Sequence, residues 1–279
     1  MTTVVSEAVT LAPPEPLVAA PRRRLRPGKP IPFGRLVGVA TVVGIWALAS
    51  AVGLLDPRKL SAPWTVLQTG IDLARDGTLE ANTAASLHRA VLGLVIGVAV
   101  GTLLAVLSGL TRLGEALIDG PIQVKRAIPA LGLIPLMILW LGIGETFKVV
   151  LIAIVVALAI YVPTHNALTS IDSRYVELAE VVGLSRWGFL RKVVAPGALP
   201  GFFLGLRLAV TGSWLALIVV EEVNAVDGLG KMMYSAQDYG QSDVILVGLV
   251  LYGLFGYLSD SLVRLVERRV LSWRRTLAN

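Results

Sequence analysis

Long stretches without a single Asp, Glu, Lys or Arg dominate this 279-residue chain: 36 to 55, 90 to 111, 127 to 144, 149 to 171, 193 to 206 resuming as 208 to 220, and 244 to 259. A helix needs about 20 apolar residues to cross the hydrocarbon of a bilayer. The runs therefore predict an all-α membrane protein with six spans, at about 36–55, 90–111, 127–144, 149–171, 197–220 and 244–266. A hydrophobic content of 55% with a mean hydropathy of +0.74 excludes a soluble globular domain.

The chain has no Cys, which removes disulfide scaffolds, thiolate metal sites and thiol nucleophiles. Its net charge of +6 could suggest nucleic acid, but the distribution of the 25 basic residues argues for a membrane surface instead. Residues 1–35 hold seven of the 15 prolines together with Arg22, Arg23, Arg24, Arg26, Lys29 and Arg35. They read as a disordered basic tail, and 36–279 as the transmembrane domain. Ala47-Leu48-Ala49 looks like a leader-cleavage site, but the apolar run continues to Leu55 and favours an uncleaved anchor. Threading six spans from an inner N-terminus puts eighteen Lys and Arg on the inner side and six on the outer: Arg58, Lys59, Arg75, Arg89, Lys148 and Lys231. That asymmetry predicts both termini in the cytoplasm.

Two connections carry structure of their own. In 57–88, Pro63 and Trp64 open a short amphipathic helix with Val66, Leu67, Ile71 and Ala74 on one face, closed at Gly77. In 172–196, DSRYVELAEVVGLSRWGFLRKVVAP, Asp172 or Ser173 caps one helix and Gly183 ends it. Ser185 caps a second helix, expected to stop at Pro196. Tyr175, Leu178, Ala179 and Val182 share a face that can pack on the bundle, and Arg174, Glu177 and Val181 lie on another.

Glu177, Ala179, Gly183, Val193 and Ala195-Pro196 fall at the spacing of a known pattern. The segment resembles the EAA loop of the permease subunits of bacterial ATP-binding-cassette (ABC) importers, with Leu178, Val193 and Ala195 departing from the family's Ala, Ile and Leu. The likeness runs over roughly 80 to 275. IPALGLIPLMILWLGIGETFK at 128–148 and GLRLAVTGSWLALIVVEE, followed by Gly228-Leu229-Gly230, are similar to the nitrate, sulfonate and taurine branch. The resemblance implies a type I importer permease fold and a small anionic solute such as an alkanesulfonate, taurine or nitrate. It further implies two ATP-binding subunits, a second permease copy as a homodimer and an extracytoplasmic solute-binding protein. The phosphate-cradling Gly-Lys-Ser/Thr loop is absent from this chain, so ATP and Mg are expected on the partner subunit. In that reading the first short helix docks on the ATPase through Arg174, Glu177 and Ala179, Gly183 makes the reversal, and Arg186 and Trp187 lead back to the bundle.

Within the membrane, Arg207 stands alone between uncharged stretches. Placing a charge there costs roughly 2.5 to 3.5 kcal/mol on insertion scales. Two roles fit, an element of an anion pathway or a clamp on backbone carbonyls or the partner permease. Pro129, Gly132 and Pro135 should kink the third span and free backbone groups that only protein or a cavity tolerates, which makes that span a pathway candidate together with Trp214 and Glu221. Glu221 reads either as a gate or binding-protein contact or as a solvated helix end. His88 and His165 are too isolated for a metal site. Two rival classes are an intramembrane hydrolase using Ser213 with His165, which lacks a nucleophile motif, and a secondary carrier, which would need acidic residues in mid-membrane.

Overall fold

The structure, a computed structural model, describes residues 34–223 and 225–273. Residues 1–33 of the expected tail, and Arg274 and Arg275 at the other end, lie outside them. The described chain divides into two units between Gly44 and Ile45. Helix α1, Gly34–Ala51, spans the division and ends four residues before the expected Leu55, where Gly53 turns at φ 72°.

In the second unit, α2 (Pro63–Arg75) starts at the proline as expected. Gly77 at φ 78° then opens α3, Thr78–Leu110. Asp76 Oδ1 accepts the Thr78 N–H at 2.9 Å, which holds its carboxyl below the ordinary carboxylate range. Next come α4 (Arg112–Ala127, with a π-helical turn over Glu115–Asp119) and α5 (Ala130–Leu141), bent by 97° relative to each other. The remaining helices are α6 (Glu145–Thr169), α7 (Arg174–Val181), α8 (Arg186–Glu222), α9 (Leu229–Asp238) and α10 (Ser242–Val270).

Three expected boundaries need correction. α3 starts twelve residues before the expected Ala90, and α6 four before Val149, because both helices continue through charged residues that are paired inside the protein. The third span is not one helix over 127–144. Pro129 (φ −57°, ψ 131°) breaks it, and Arg112–Ala127, expected as a loop, is its helical first arm. Nor does Pro196 stop the second short helix of 172–196. A π-helical turn over Leu190–Val194 shifts the hydrogen-bond register, and Pro196 falls in the first turn after it, where a missing N–H is tolerated. Four described helices are thus long and apolar enough to cross a membrane, or five if the bent pair counts as one span. α1 supplies only a short apolar stretch, Val37–Ala51.

The core is built on α6, whose Phe147, Leu151, Ile152, Val156 and Ile160 are fully buried against Leu217 and Val220 of α8. Hydrocarbon gives little hydrophobic drive for helices to associate, so close dispersion contacts must do it. Gly93, Gly97 and Gly101, one turn apart on α3, provide them. A Cβ on Gly97 would lie 2.6 Å from the Ala153 carbonyl oxygen, and one on Gly101 2.5 Å from that of Ala157.

This register shows α3 and α6 to be parallel: Gly93 faces Ile152 and Gly109 faces Leu168. The chain between them must therefore return to its starting end, and the broken α4–α5 makes that return. α8 runs the other way, Gly205 facing Ile160 and Gly212 facing Val155, and α10 opposes it in turn, Tyr252 meeting Glu221 and Asp260 meeting Arg207. Large exposed side chains on the spans are apolar, among them Val95, Leu103, Leu215, Val250 and Leu262, as a lipid-facing or subunit-facing surface requires.

Candidate functional site

An arginine inside a 33-residue apolar helix is costly unless paired, and Arg89 of α3, 3% exposed, is paired on every side. Its Nε and Nη2 take the two oxygens of Glu145 at the start of α6, the second at 2.9 Å. Its Nη1 donates to Glu221 Oε1 at the end of α8 and to the Asp227 carbonyl oxygen, both at 2.8 Å, and Nη2 also meets the Asp227 carboxylate. The planar fork suits this work, since its N–H groups make five hydrogen bonds here and lysine has only three donors.

Glu221 is completely buried, and every contact it makes is with a donor. The Ser86 hydroxyl lies 2.8 Å from both of its oxygens, the Gly230 N–H donates to Oε2 at 2.8 Å, and the Tyr252 hydroxyl donates to Oε2 at 2.9 Å. Lys148, also buried, donates to Glu145 at 2.8 Å. Two cations thus face three carboxylates. Glu145 and Asp227 keep 57% and 54% of their side chains exposed, so the surplus charge sits at the surface. α3, α6, α8, α9 and α10 all meet at this one end.

The sequence reading missed Arg89, Glu145, Lys148, Asp227, Ser86 and Tyr252 as a group. The charge-free runs end at Arg89 and Lys148, which puts both in loops. The signal that could have found them is the apolar flanking of Arg89, AASLHRAVLGLV, which leaves no solvent for an unpaired guanidinium. The solvated-end alternative for Glu221 is overturned by its complete burial, which the four donors compensate.

Arg207 is not clamped by carbonyls. Its Nε lies 3.2 Å from Asp260 Oδ1 of α10, and Arg264 takes the other oxygen of Asp260 at 2.7 Å. With 40% of its side chain exposed, Arg207 still presents guanidinium surface at the middle of α8. Two turns along, Trp214 stacks on Phe255, centroids 5.7 Å apart, and its Nε1 donates to Ser259 at 3.1 Å. Pro129 and Pro135 stand at the break and in the first turn of the recrossing arm. Tyr161 of α6 secures the other arm, 2.9 Å from Ser108 and 3.0 Å from Asp119 in the π-helical turn.

At the opposite end of α6, the caps and reversal of 172–185 form as expected, but the packing does not. Asp172 Oδ1 accepts the Arg174 N–H at 2.9 Å, Gly183 adopts φ 67° with open space where a Cβ would sit, and Ser185 Oγ accepts the Gly188 N–H at 3.1 Å. Of the face expected to pack on the bundle only Ala179 is buried; Tyr175, Leu178 and Val182 are exposed, as are Val181 and Trp187. Arg174, Glu177 and Arg186 are exposed as well.

Among the described residues no group of three or more His, Asp or Glu could hold a metal ion. His165 stacks on Tyr161. The Ser213 hydroxyl donates to the Val210 carbonyl at 2.8 Å. Since Gly212 faces Val155, Ser213 lies about ten residues, roughly 15 Å, from His165 along α6, which removes the hydrolase pairing.

A glycine-ribbed helical bundle with apolar outer faces, one end closed by ion pairs and the other bearing an exposed two-helix connection, defines a multi-pass membrane component. Residues 93–272 match the family of binding-protein-dependent transport system inner membrane components. The chain belongs to that family and is the permease subunit of an ABC importer. It is 32% identical to a putative aliphatic sulfonates transport permease protein of Bacillus subtilis, over 91% of this chain and 92% of that one. To the putative aliphatic sulfonates transport permease protein of Escherichia coli it is 41% identical, over 83% and 88% of the two chains. The taurine transport system permease protein of Escherichia coli is 31% identical over 84% and 87%.

Proposed function

We propose that this permease carries a small organic sulfonate inward, alternating access by rigid-body motion against a second copy of itself. The observation that carries the reading is the 41% identity to an aliphatic sulfonates permease across nearly the whole bundle. The half-exposed Arg207 supports it, because a guanidinium in an otherwise apolar span attracts an anion. Pro129, Pro135 and Trp214 would line the same route, on the broken span and beside Arg207. Glu221 serves the pathway indirectly, by closing the bundle's outer end.

In this reading the 172–196 connection faces the cytoplasm and docks on one of two ATP-binding subunits, which hold ATP and Mg. Exposed Leu178, Val181, Val182 and Trp187 would be covered there, flanked by Arg174, Glu177 and Arg186, while Ala179 and Gly183 set the shape of the reversal. Both termini are cytoplasmic, α1 supplies the first of the six spans, and a solute-binding protein delivers substrate to the Arg89 end. Such delivery answers an electrostatic objection: ten Asp and Glu against six basic residues on the outer side would repel a free anion.

The test is uptake by proteoliposomes holding the complete complex and its binding protein, supplied with labelled alkanesulfonate, taurine or nitrate. ATP-dependent uptake of the alkanesulfonate, lost in Arg207→Gln at equal assembly, is expected. Uptake of nitrate alone would overturn the substrate class, and uptake independent of Arg207 would overturn the pathway role.

A further inference from the structure

The first turn of α9 has no cap of its own. Its free N–H groups are satisfied from other helices: Gly228 donates to Asn82 Oδ1 and Leu229 to Ser86 Oγ, both on α3, and Gly230 to Glu221 on α8, each at 2.8 Å. Glycine is required at 228, where φ is 118° and a Cβ would lie 2.5 Å from the Glu221 carboxyl carbon and 2.7 Å from Arg89 Nη1. The turn before α9 is therefore seated in a socket whose floor is the buried Arg89–Glu221 pair.

The partners of that socket differ in access. Glu221 and Arg89 are out of reach of solvent, whereas the Asp227 carboxylate, which belongs to the turn before α9, is about half exposed. Separating it from Arg89 leaves the guanidinium with Glu145, Glu221 and two cations still facing two carboxylates, a balanced cluster. The same separation leaves Asp227 free to be solvated. Breaking this one tie strands no charge in the protein, which is not true of any tie to Glu221.

We propose that Arg89 is the positioning residue of the importer's outer closure and that the Arg89–Asp227 pair is its releasable tie, holding the turn before α9 down in the resting complex. The proposal rests on the importer reading and on the Arg89 end facing outward. Opening lifts the Val226–Asp227 side of the turn about its Gly228–Gly230 seat, whose hydrogen bonds to Asn82, Ser86 and Glu221 stay made, while Arg89 stays bound to Glu145 and Glu221 as the fixed half. A weakened tie makes the open state easier to reach without the binding protein, so the ATPase partner should turn over in its absence.

The experiment uses the full complex in nanodiscs and measures ATP hydrolysis with and without binding protein for wild type, Asp227→Asn and Asp227→Glu. Val226, 93% exposed beside the tie, is replaced by Cys on the Cys-free chain and spin-labelled to report mobility. Asp227→Asn is expected to raise binding-protein-independent hydrolysis by about threefold or more and to loosen the label, while Asp227→Glu stays within about twofold of wild type. An Asp227→Asn complex that assembles normally with wild-type hydrolysis overturns the proposal, and one that fails to assemble makes the tie structural and overturns it too. If the wild-type complex shows no response to binding protein at all, it is the importer reading of this end that falls.

Discussion

The two ends of the bundle are finished in opposite ways. At the Arg89 end five helices share one ion cluster, and its buried charges find partners within the chain. At the 172–196 end a short helix and its reversal carry apolar side chains into the open, with Ala179 as the sole buried residue of α7. The first end is complete in a single chain. The second leaves apolar side chains at a polar boundary, where they are costly to keep wet, and in the proposed reading the ATP-binding subunit covers them.

Arg89→Ala should break the finished end most severely. It strands Glu221 as a buried charge, a loss of about 3 to 5 kcal/mol, and the expected outcome is loss of monodisperse protein in size-exclusion chromatography. Gly97→Leu should come next, at about 1 to 3 kcal/mol for overpacking against the Ala153 carbonyl, read as a lower melting temperature of the detergent-solubilised chain.

At the unfinished end the same assay should register little. Gly183→Val meets no neighbour but forces a branched residue to positive φ, so the cost of about 1 to 3 kcal/mol is confined to the reversal. Purified permease should survive, while binding-protein-stimulated ATP hydrolysis of the complex is lost. Val181→Ser should leave the melt of the isolated chain unchanged and weaken its capture of the ATP-binding subunit; an unchanged capture would show that α7 is not covered there. The smallest effect belongs to Asp76. Its depressed carboxyl stabilises α3 at neutral pH and ceases to do so as the pH falls below about 4, and Asp76→Ala should abolish that part of the acid sensitivity in circular dichroism.

What the sequence displays plainly is whatever depends on neighbours in the chain. Pro63 and Gly77 bracket α2, Gly183 takes positive φ, Ser185 caps its helix, and Pro129 breaks its span, each from a local rule. Whatever depends on a distant partner stayed hidden. Arg89 looks like a loop residue until Glu145 and Glu221 are brought beside it, and Arg207 looks unpaired because Asp260 lies 53 residues away. The recrossing by α4 and α5 was equally invisible: it follows from the parallel register of α3 and α6, which rests on Gly93, Gly97, Gly101 and Gly109 meeting carbonyls and side chains of another helix.

Those glycines have a mechanical consequence. Where Gly97 and Gly101 meet the Ala153 and Ala157 carbonyls no side chain lies between the backbones to shear or compress, so α3 and α6 should behave as one stiff rod running from the Arg89 end toward the 172–196 connection. A push delivered at one tip arrives at the other as displacement instead of being absorbed along the way. Replacing the ribs with larger residues would put a cushion in the rod, and force applied at one end would then be spent on repacking before it moved the other.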